Sequence, residues 1–344
     1  MTVVINGRFL RGASTGMERV GRGLIDAGRK AGLALEVLAP SGTEDTRVDR
    51  VAPVPPGRLG EHIWEQLVLP AAARGRPLLS LANTAPLMHS RSVVMIHDLG
   101  WRVGPEWFSR LGRIYGRLAW ASARRAAGVL TPSDDVRSQL LAEGFRPERV
   151  FTVRNALDDG FGASAPEEVA EARTRLALTD RYFLFVGWAD PRKDVATAIA
   201  AHRRVVRRYR HQLVLVGKPH PNFGRVMLPD LDSIRLLGYL PEPDLRAVLT
   251  GADALVFPSR YEGFGFPPLE ALACGVPALV SDIPVLKEST SGAAHLVPLG
   301  DVAAWAEAMT EVLEGRIVAR PLPPWRWSDA ATALIEALRV LGFL

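Results

Sequence analysis

Short apolar runs recur along the chain, and most are followed by stretches whose apolar residues return at helical spacing. In the first half they are "TVVIN", "ALEVLAP", "PLLSLAN", "SVVMIHD", "GVLTPS" and "VFTVRN"; in the second, "YFLFVGW", "QLVLVGK", "IRLLGY", "ALVFPS", "PALVSD" and "AAHLVPL". Short continuous apolar segments suit strands buried on both faces, and their alternation with amphipathic stretches predicts βα units around parallel sheets. The two sets are separated by "ALDDGFGASAPEEVAEARTRLALTDR", polar and glycine-rich at first and helix-like at its end. The pattern predicts an α/β chain of two doubly wound domains, residues 1–165 and 166–325. In the closing stretch "WRWSDAATALIEALRVLGFL", Ser328 is a suitable N-cap before alanines and leucines at helical spacing. Residues 326–344 are expected to form a helix that packs back on the first domain.

Composition narrows the class. The chain has 344 residues, 48% hydrophobic and 23% charged, enough for a large core divided between two domains. The opening "MTVVI" has no basic segment, long apolar stretch or small-residue cleavage site, so no signal peptide is expected. No run approaches the roughly 18 to 20 apolar residues of a membrane-spanning helix. A single cysteine, Cys274, excludes an internal disulfide and a cysteine-cluster metal site, and a cytoplasmic location is expected. The net charge of +5 and pI near 9.7 imply an anionic partner: nucleic acid, a phospholipid surface or phosphorylated substrates. Zinc-ligand spacing, a basic tail and a glycine-aromatic RNA-binding pattern are all missing, so nucleic acid is not an expected partner.

The richest chemistry lies in "RYEGFGFPPLEALACGVP", residues 260–277, where Glu262 and Glu270 flank Gly263, Gly265, Pro267 and Pro268. The preceding run "ADALVFPS" reads as a buried strand. Glycines then allow close backbone approach, and the prolines suit the first helical turn, where their missing N–H has no partner. Gly275 is a natural helix stop. Glu262 is thus expected in a loop at the carboxyl end of a strand and Glu270 early in the next helix. Singly, Glu270 fits a residue that complements the helix dipole and Glu262 a solvated carboxylate. Together with an amide-rich helix start that attracts phosphate, they suit a sugar nucleotide, which offers phosphates and two hydroxyl-bearing rings.

The stretch "SRYEGFGFPPLEALACGVPALVSDIPVLKE" closely resembles the donor-binding segment of the family 4 retaining glycosyltransferases, and the likeness covers nearly the whole chain. It implies the GT-B fold, two Rossmann-like domains facing a cleft. It also implies that Glu262 binds hydroxyls of the transferred sugar, that Glu270 holds the nucleotide ribose, and that amides of Gly263, Phe264, Gly265 and Phe266 lie over the sugar and diphosphate.

Other motifs gain meaning beside this resemblance. In "VGWADPRKDV", Arg192 and Lys193 alone read equally as a solvated loop or a phosphate clamp. Likeness to the family's "EPRKN" turn implies that Lys193, with Arg192 second, neutralises the leaving diphosphate; Trp188 stands where some members carry a further arginine. "SVVMIHDLGW" ends a strand at His97 and Asp98. A lone histidine is commonly structural, whereas the resemblance places His97 on the transferred sugar near the reacting carbon, with Asp98 to orient the ring or cap the next helix. Gly16 in "RGASTGMERVGRGL" is either a loop glycine or, by likeness to a "TGxGR" loop that Met17 and Glu18 interrupt, a backbone approach to the donor phosphate. In "LLGYLPEPDLRAVLTGAD", the resemblance makes Leu240 the base contact and Glu242 an acceptor from a guanine edge; as a residue alone, Glu242 is a surface glutamate. "PDLDS" sets Asp230 and Asp232 in Asp-x-Asp spacing, a common chance pattern in a loop, and no metal is expected.

"RLGRIYGRLAWASARRAAG" interleaves Arg110, Arg113, Arg117, Arg124 and Arg125 with apolar residues: an ordinary helix with a solvated basic face, or a helix for an anionic membrane surface. Acceptor recognition is expected from loops of the first half such as "GEHIWEQ" and "GWRVGPEWF". The expected activity is metal-independent transfer of a hexose, mannose-like, from a nucleoside diphosphate sugar (GDP first, UDP second) to a glycan or lipid-linked hydroxyl with retention. A sugar-nucleotide epimerase or hydrolase is the alternative. A dinucleotide dehydrogenase is further away, since "GFGFPP" fails the final glycine of G-x-G-x-x-G.

Overall fold

The computed structural model describes residues 2–11, 16–57, 59–187, 189–219, 222–223, 227–228, 232–322 and 325–344. The chain divides into two compact units: Met1–Leu99, Ile114–Asp158 and Trp325–Leu344 form the first, and Gly100–Arg113 with Asp159–Pro324 the second.

In the first unit the described strands are β1 (Val3–Asn6), β2 (Leu35–Pro40), β3 (Arg50–Ala52), β4 (Leu78–Ser80), β5 (Ser92–Met95), β6 (Gly128–Thr131) and β7 (Val150–Thr152). They form one parallel sheet in the order β3-β2-β1-β4-β5-β6-β7. The order reverses between β1 and β4, the point where doubly wound sheets leave a crevice for ligands. The strand β3 has no counterpart among the expected runs, because it is a three-residue edge strand with only Ala52 buried.

The second unit repeats the plan with β8 (Tyr182–Val186), β9 (Gln212–Val216), β10 (Ile234–Leu237), β11 (Ala254–Phe257), β12 (Ala278–Ser281) and β13 (His295–Val297), ordered β10-β9-β8-β11-β12-β13. Its reversal lies between β8 and β11. Alternate residues of the inner strands enter opposite cores. Tyr182, Leu184, Val214 and Phe257 pack with Val248 and Leu272 of the helices Glu242–Thr250 and Phe266–Ala273. Phe183, Phe185, Leu215 and Val256 pack with Ile199, Trp305 and Met309 of the helices Val195–Val205 and Val302–Leu313. Burial on both faces explains why these strands read as unbroken apolar runs.

The helix Trp327–Val340 belongs to the first unit and packs on the helix Gly16–Lys30. A Cβ on Gly23 would lie 2.4 Å from the Trp327 ring, so the glycine is what admits the indole. The Trp327 indole N–H donates to Asp158 at 3.1 Å. Ser328 is not the cap: it lies inside the helix, whose N-cap is Arg326, because packing of Trp327 draws the start back by two residues. The stretch "GEHIWEQ" is also no loop, but helical over Gly60–Ile63 and Trp64–Val68. "GWRVGPEWF" contains the helical turns Gly100–Val103 and Pro105–Trp107 and groups with the second unit.

His202 is fully buried in the helix Val195–Val205, and burial, reinforced by nearby His211, lowers its pKa to about 4. The folded chain keeps this ring neutral, so no stability is lost while the unfolded chain is neutral too. As pH falls below about 6.5, only the unfolded chain takes up the proton, and stability drops by up to about 1.4 kcal/mol per pH unit. Urea unfolding followed from pH 7.5 to 5 is expected to show this loss, with a shallower slope in His202→Leu; parallel slopes would rule it out.

Candidate functional site

Two loops meet at the reversal of the second sheet. One leaves β8 through Gly187, whose φ of +89° favours glycine, and enters a single 3₁₀ turn, Pro191–Lys193. Asp190 shapes that turn. Its carboxylate accepts the Arg192 backbone N–H at 3.0 Å and the Arg192 guanidinium at 2.8 to 3.1 Å. Asp194, in left-handed backbone at φ 50°, accepts from the Thr197 hydroxyl and from Arg260 Nε, each at 2.9 Å. The other loop leaves β11, and its Arg260 N–H donates to the Arg192 carbonyl at 2.8 Å. Backbone and side chain thus clip the two loops together.

The clip positions a buried pair: the Lys193 ammonium donates to Glu262 Oε1 at 2.5 Å, with both side chains under 15% exposed. The ammonium also lies 4.5 Å from the centre of the Phe257 ring, at the end of β11. After Glu262 the chain turns through Gly263, buried Phe264 and Gly265 into the helix Phe266–Ala273, which carries Glu270, itself 6% exposed. Gly265 is the N-cap at φ 90°, and a Cβ there would stand 2.6 Å from Leu286 Cδ2. The sheet's reversal therefore gathers Lys193, Arg192, Glu262, Gly263–Phe266 and Glu270. Arg192 faces its own loop: besides Asp190, it stacks 4.9 Å from Phe223 and 5.5 Å from Phe108. Leu240 is buried beyond the edge strand β10, and exposed Glu242 opens the helix Glu242–Thr250.

His97 lies in the first unit, in the loop after β5. Its backbone N–H donates to Asn83 Oδ1 at 2.8 Å, and ring Nε2 donates to the Leu81 carbonyl at 2.7 Å. A carbonyl only accepts, which fixes the proton on Nε2 and leaves Nδ1 with its lone pair. Burial pulls the ring's pKa below the usual histidine value, with a smaller opposing effect from the Leu81 carbonyl, so the imidazole is neutral near pH 7. Gly16, exposed, opens the helix Gly16–Lys30 of the same unit. Asp232 is exposed, while Trp188 and Asp230 lie outside the described residues. Sequence reasoning missed Asp190, Asp194, Arg260 and the rings of Phe108 and Phe223. Asp190 had a signal, an acidic residue directly before Pro191, the usual form of a capped turn.

Two parallel sheets, each with a strand-order reversal, one of them with a paired ammonium and carboxylate beside a glycine-capped helix, define a doubly wound α/β class of two units. Residues 14–161 match the family described as Glycosyltransferase Family 4, and residues 180–315 match Glycosyl transferases group 1. The chain thus carries a family 4 and a group 1 glycosyltransferase domain, which together take up most of its length. It is 27% identical over 270 residues to O-antigen chain mannosyltransferase B of Escherichia coli, covering 73% of this chain and 71% of that one. Sucrose-phosphate synthase from Thermosynechococcus elongatus has the same fold (TM-score 0.69, 19% identity, 99% of this chain and 96% of that one). So does Anabaena HepE in complex with UDP and glucose (TM-score 0.69, 17% identity, 100% and 97%).

Gly265→Ala is expected to cost about 1 to 3 kcal/mol in urea unfolding, from the left-handed backbone and the clash with Leu286. Adding Leu286→Ala should leave the backbone part of the substitution's cost while removing the clash. Full recovery in that background would show that space alone requires the glycine.

Proposed function

We propose that the protein transfers a hexose, mannose first, from a nucleoside diphosphate sugar, GDP before UDP, to a glycan or lipid-linked hydroxyl in cell-surface polysaccharide or glycolipid synthesis. The Lys193–Glu262 pair at the reversal of the second sheet carries this reading. An ammonium held out of water and already close to a carboxylate is suited to charge that develops on a departing diphosphate. In the donor complex Lys193 turns to a phosphate oxygen, and Glu262 accepts from sugar hydroxyls. Glu270 accepts from the ribose hydroxyls, and the amides of Gly263–Phe266, which open the helix, face the diphosphate. Leu240 and Glu242 are assigned to the base, and Gly16 to a backbone approach to the phosphate. The mannose-specific name of the E. coli relative supports the sugar, and the UDP bound by HepE supports a nucleotide donor.

The transfer breaks the bond between the anomeric carbon and the diphosphate oxygen and joins that carbon to the acceptor oxygen on the same face. The departing phosphate takes the acceptor proton, so neither a nucleophilic side chain nor a metal is assigned a role. His97 is a positioning contact rather than an acid. It is neutral, its Nε2–H is committed to the Leu81 carbonyl, and Nδ1 accepts from a sugar hydroxyl.

The lipid-linked acceptor would be reached through a peripheral membrane contact. Among the described residues no helix is long and apolar enough to cross a membrane. The helix Arg110–Arg125 exposes Arg110, Leu111, Ile114, Arg117 and Arg125, with Leu111 at 60% and Ile114 at 61%. Arg124 is turned instead to the carbonyls of Glu143 and Gly144. Such a face suits an anionic surface.

Thermal shift and mass spectrometry against GDP-, UDP-, dTDP- and ADP-sugars test the donor assignment. One nucleotide family should stabilise the protein, Glu270→Ala should weaken it roughly tenfold, and Lys193→Ala should slow turnover on the order of 100-fold. No stabilisation of the folded protein would refute the donor site, and an altered nucleotide sugar formed without acceptor would indicate epimerisation. For the membrane contact, sedimentation with anionic liposomes at low salt should be lost in Leu111→Ser/Ile114→Ser; no sedimentation of the wild type would remove that part of the proposal.

A further inference from the structure

The first sheet has its own polar pocket at its own reversal point. Asn6 ends β1 and Ser80 ends β4, and the Asn6 amide donates to Ser80 Oγ at 3.2 Å and to Glu65 Oε1 at 2.8 Å. Glu65 sits on the π-helical turn Trp64–Val68, a distortion common at functional sites. The Thr84 hydroxyl donates to both Glu65 oxygens at 2.9 and 3.0 Å. Arg8 donates to Thr84 Oγ1 at 3.0 Å, approaches His62 Nδ1 at 3.1 Å and stands 3.6 Å from Glu65. Asn6, Glu65 and Thr84 are each at most 5% exposed, so a polar network has been built into the interior of the unit. Above it opens a pocket of about 330 Å³ whose lining includes Arg8, Arg11, Glu18, Glu61, Glu65 and Tyr115.

The charges in this lining select the ligand. Both guanidinium groups lie beside carboxylates, Arg8 near Glu65 and Arg11 bonded to Glu61 at 2.9 Å, and Glu18 is a third carboxylate. A phosphate would have to break these pairs and meet the carboxylates. A neutral polyol meets no such penalty: its hydroxyls donate to carboxylates and accept from guanidinium groups. The volume is at the small end of ligand pockets, suited to a single sugar ring.

We propose that this pocket holds a neutral sugar ring of the acceptor and discriminates against phosphorylated ones. The word acceptor rests on the transferase reading above; the neutral-sugar pocket rests on the first unit alone. Saturation-transfer NMR with methyl α-D-mannopyranoside and methyl α-D-glucopyranoside, in excess GDP and UDP to occupy the donor site, tests it. At least one glycoside should bind the wild type, at least fivefold more tightly than it binds Glu61→Gln or Glu65→Gln. Glu61 is half exposed, so its variant should fold even if the Glu65 variant does not. Mannose 1-phosphate should bind the wild type at least tenfold more weakly than the favoured glycoside, a gap that narrows in Glu61→Gln. The pocket is overturned if neither glycoside binds, if Glu61→Gln binds as well as wild type, or if mannose 1-phosphate binds as tightly as the glycoside. Nucleotide binding, read separately by thermal shift, keeps the two readings apart. Its presence without glycoside binding overturns the pocket alone, and glycoside binding without it overturns the acceptor role while the sugar site stands.

Discussion

An ammonium and a carboxylate removed from most of their water are costly to hold, several kcal/mol per ion before their mutual attraction is counted. The Lys193–Glu262 pair meets that cost only because each partner is delivered to a fixed place. Sheet order makes β8 and β11 neighbours, so their loops emerge side by side. Asp190 shapes the first loop, Asp194 reaches across to Arg260 of the second, and Phe257 lies beneath the ammonium. A pair of this kind adds little net stability over well-packed apolar residues. What it supplies is a preoriented charge.

The first unit uses the same strand order to a different electrostatic end. At its reversal a neutral amide, a hydroxyl and a guanidinium converge on Glu65, and three carboxylates outnumber two guanidinium groups around the pocket. On the readings proposed above, one crevice is tuned to an anion and the other to hydroxyls. Those are the demands of the two substrates of a sugar transfer.

Much of this was legible because the signals are local. Strands sandwiched between helices leave unbroken apolar runs, whereas Val51 of the edge strand β3 is 52% exposed and leaves no such mark. Glu262 and Glu270 stood out through the glycines and prolines between them, and Gly265 does hold left-handed backbone. What escaped depends on contacts between distant segments. Asp194 and Arg260 are 66 positions apart, and Asn6 and Glu65 are 59 apart, so no window of sequence contains either bond. The misplaced helix start at Ser328 has the same origin, since Trp327 is fixed by Gly23 and Asp158.

The helix Trp327–Val340 also sets an order of events. It covers the helix Gly16–Lys30, yet the ribosome makes it only after every strand of the second unit. During synthesis the first sheet must wait with that surface bare, while the continuous stretch from β8 to β13 has all its strands in hand. The half that emerges first is therefore the half completed last, reversing the usual N-to-C succession of domain folding.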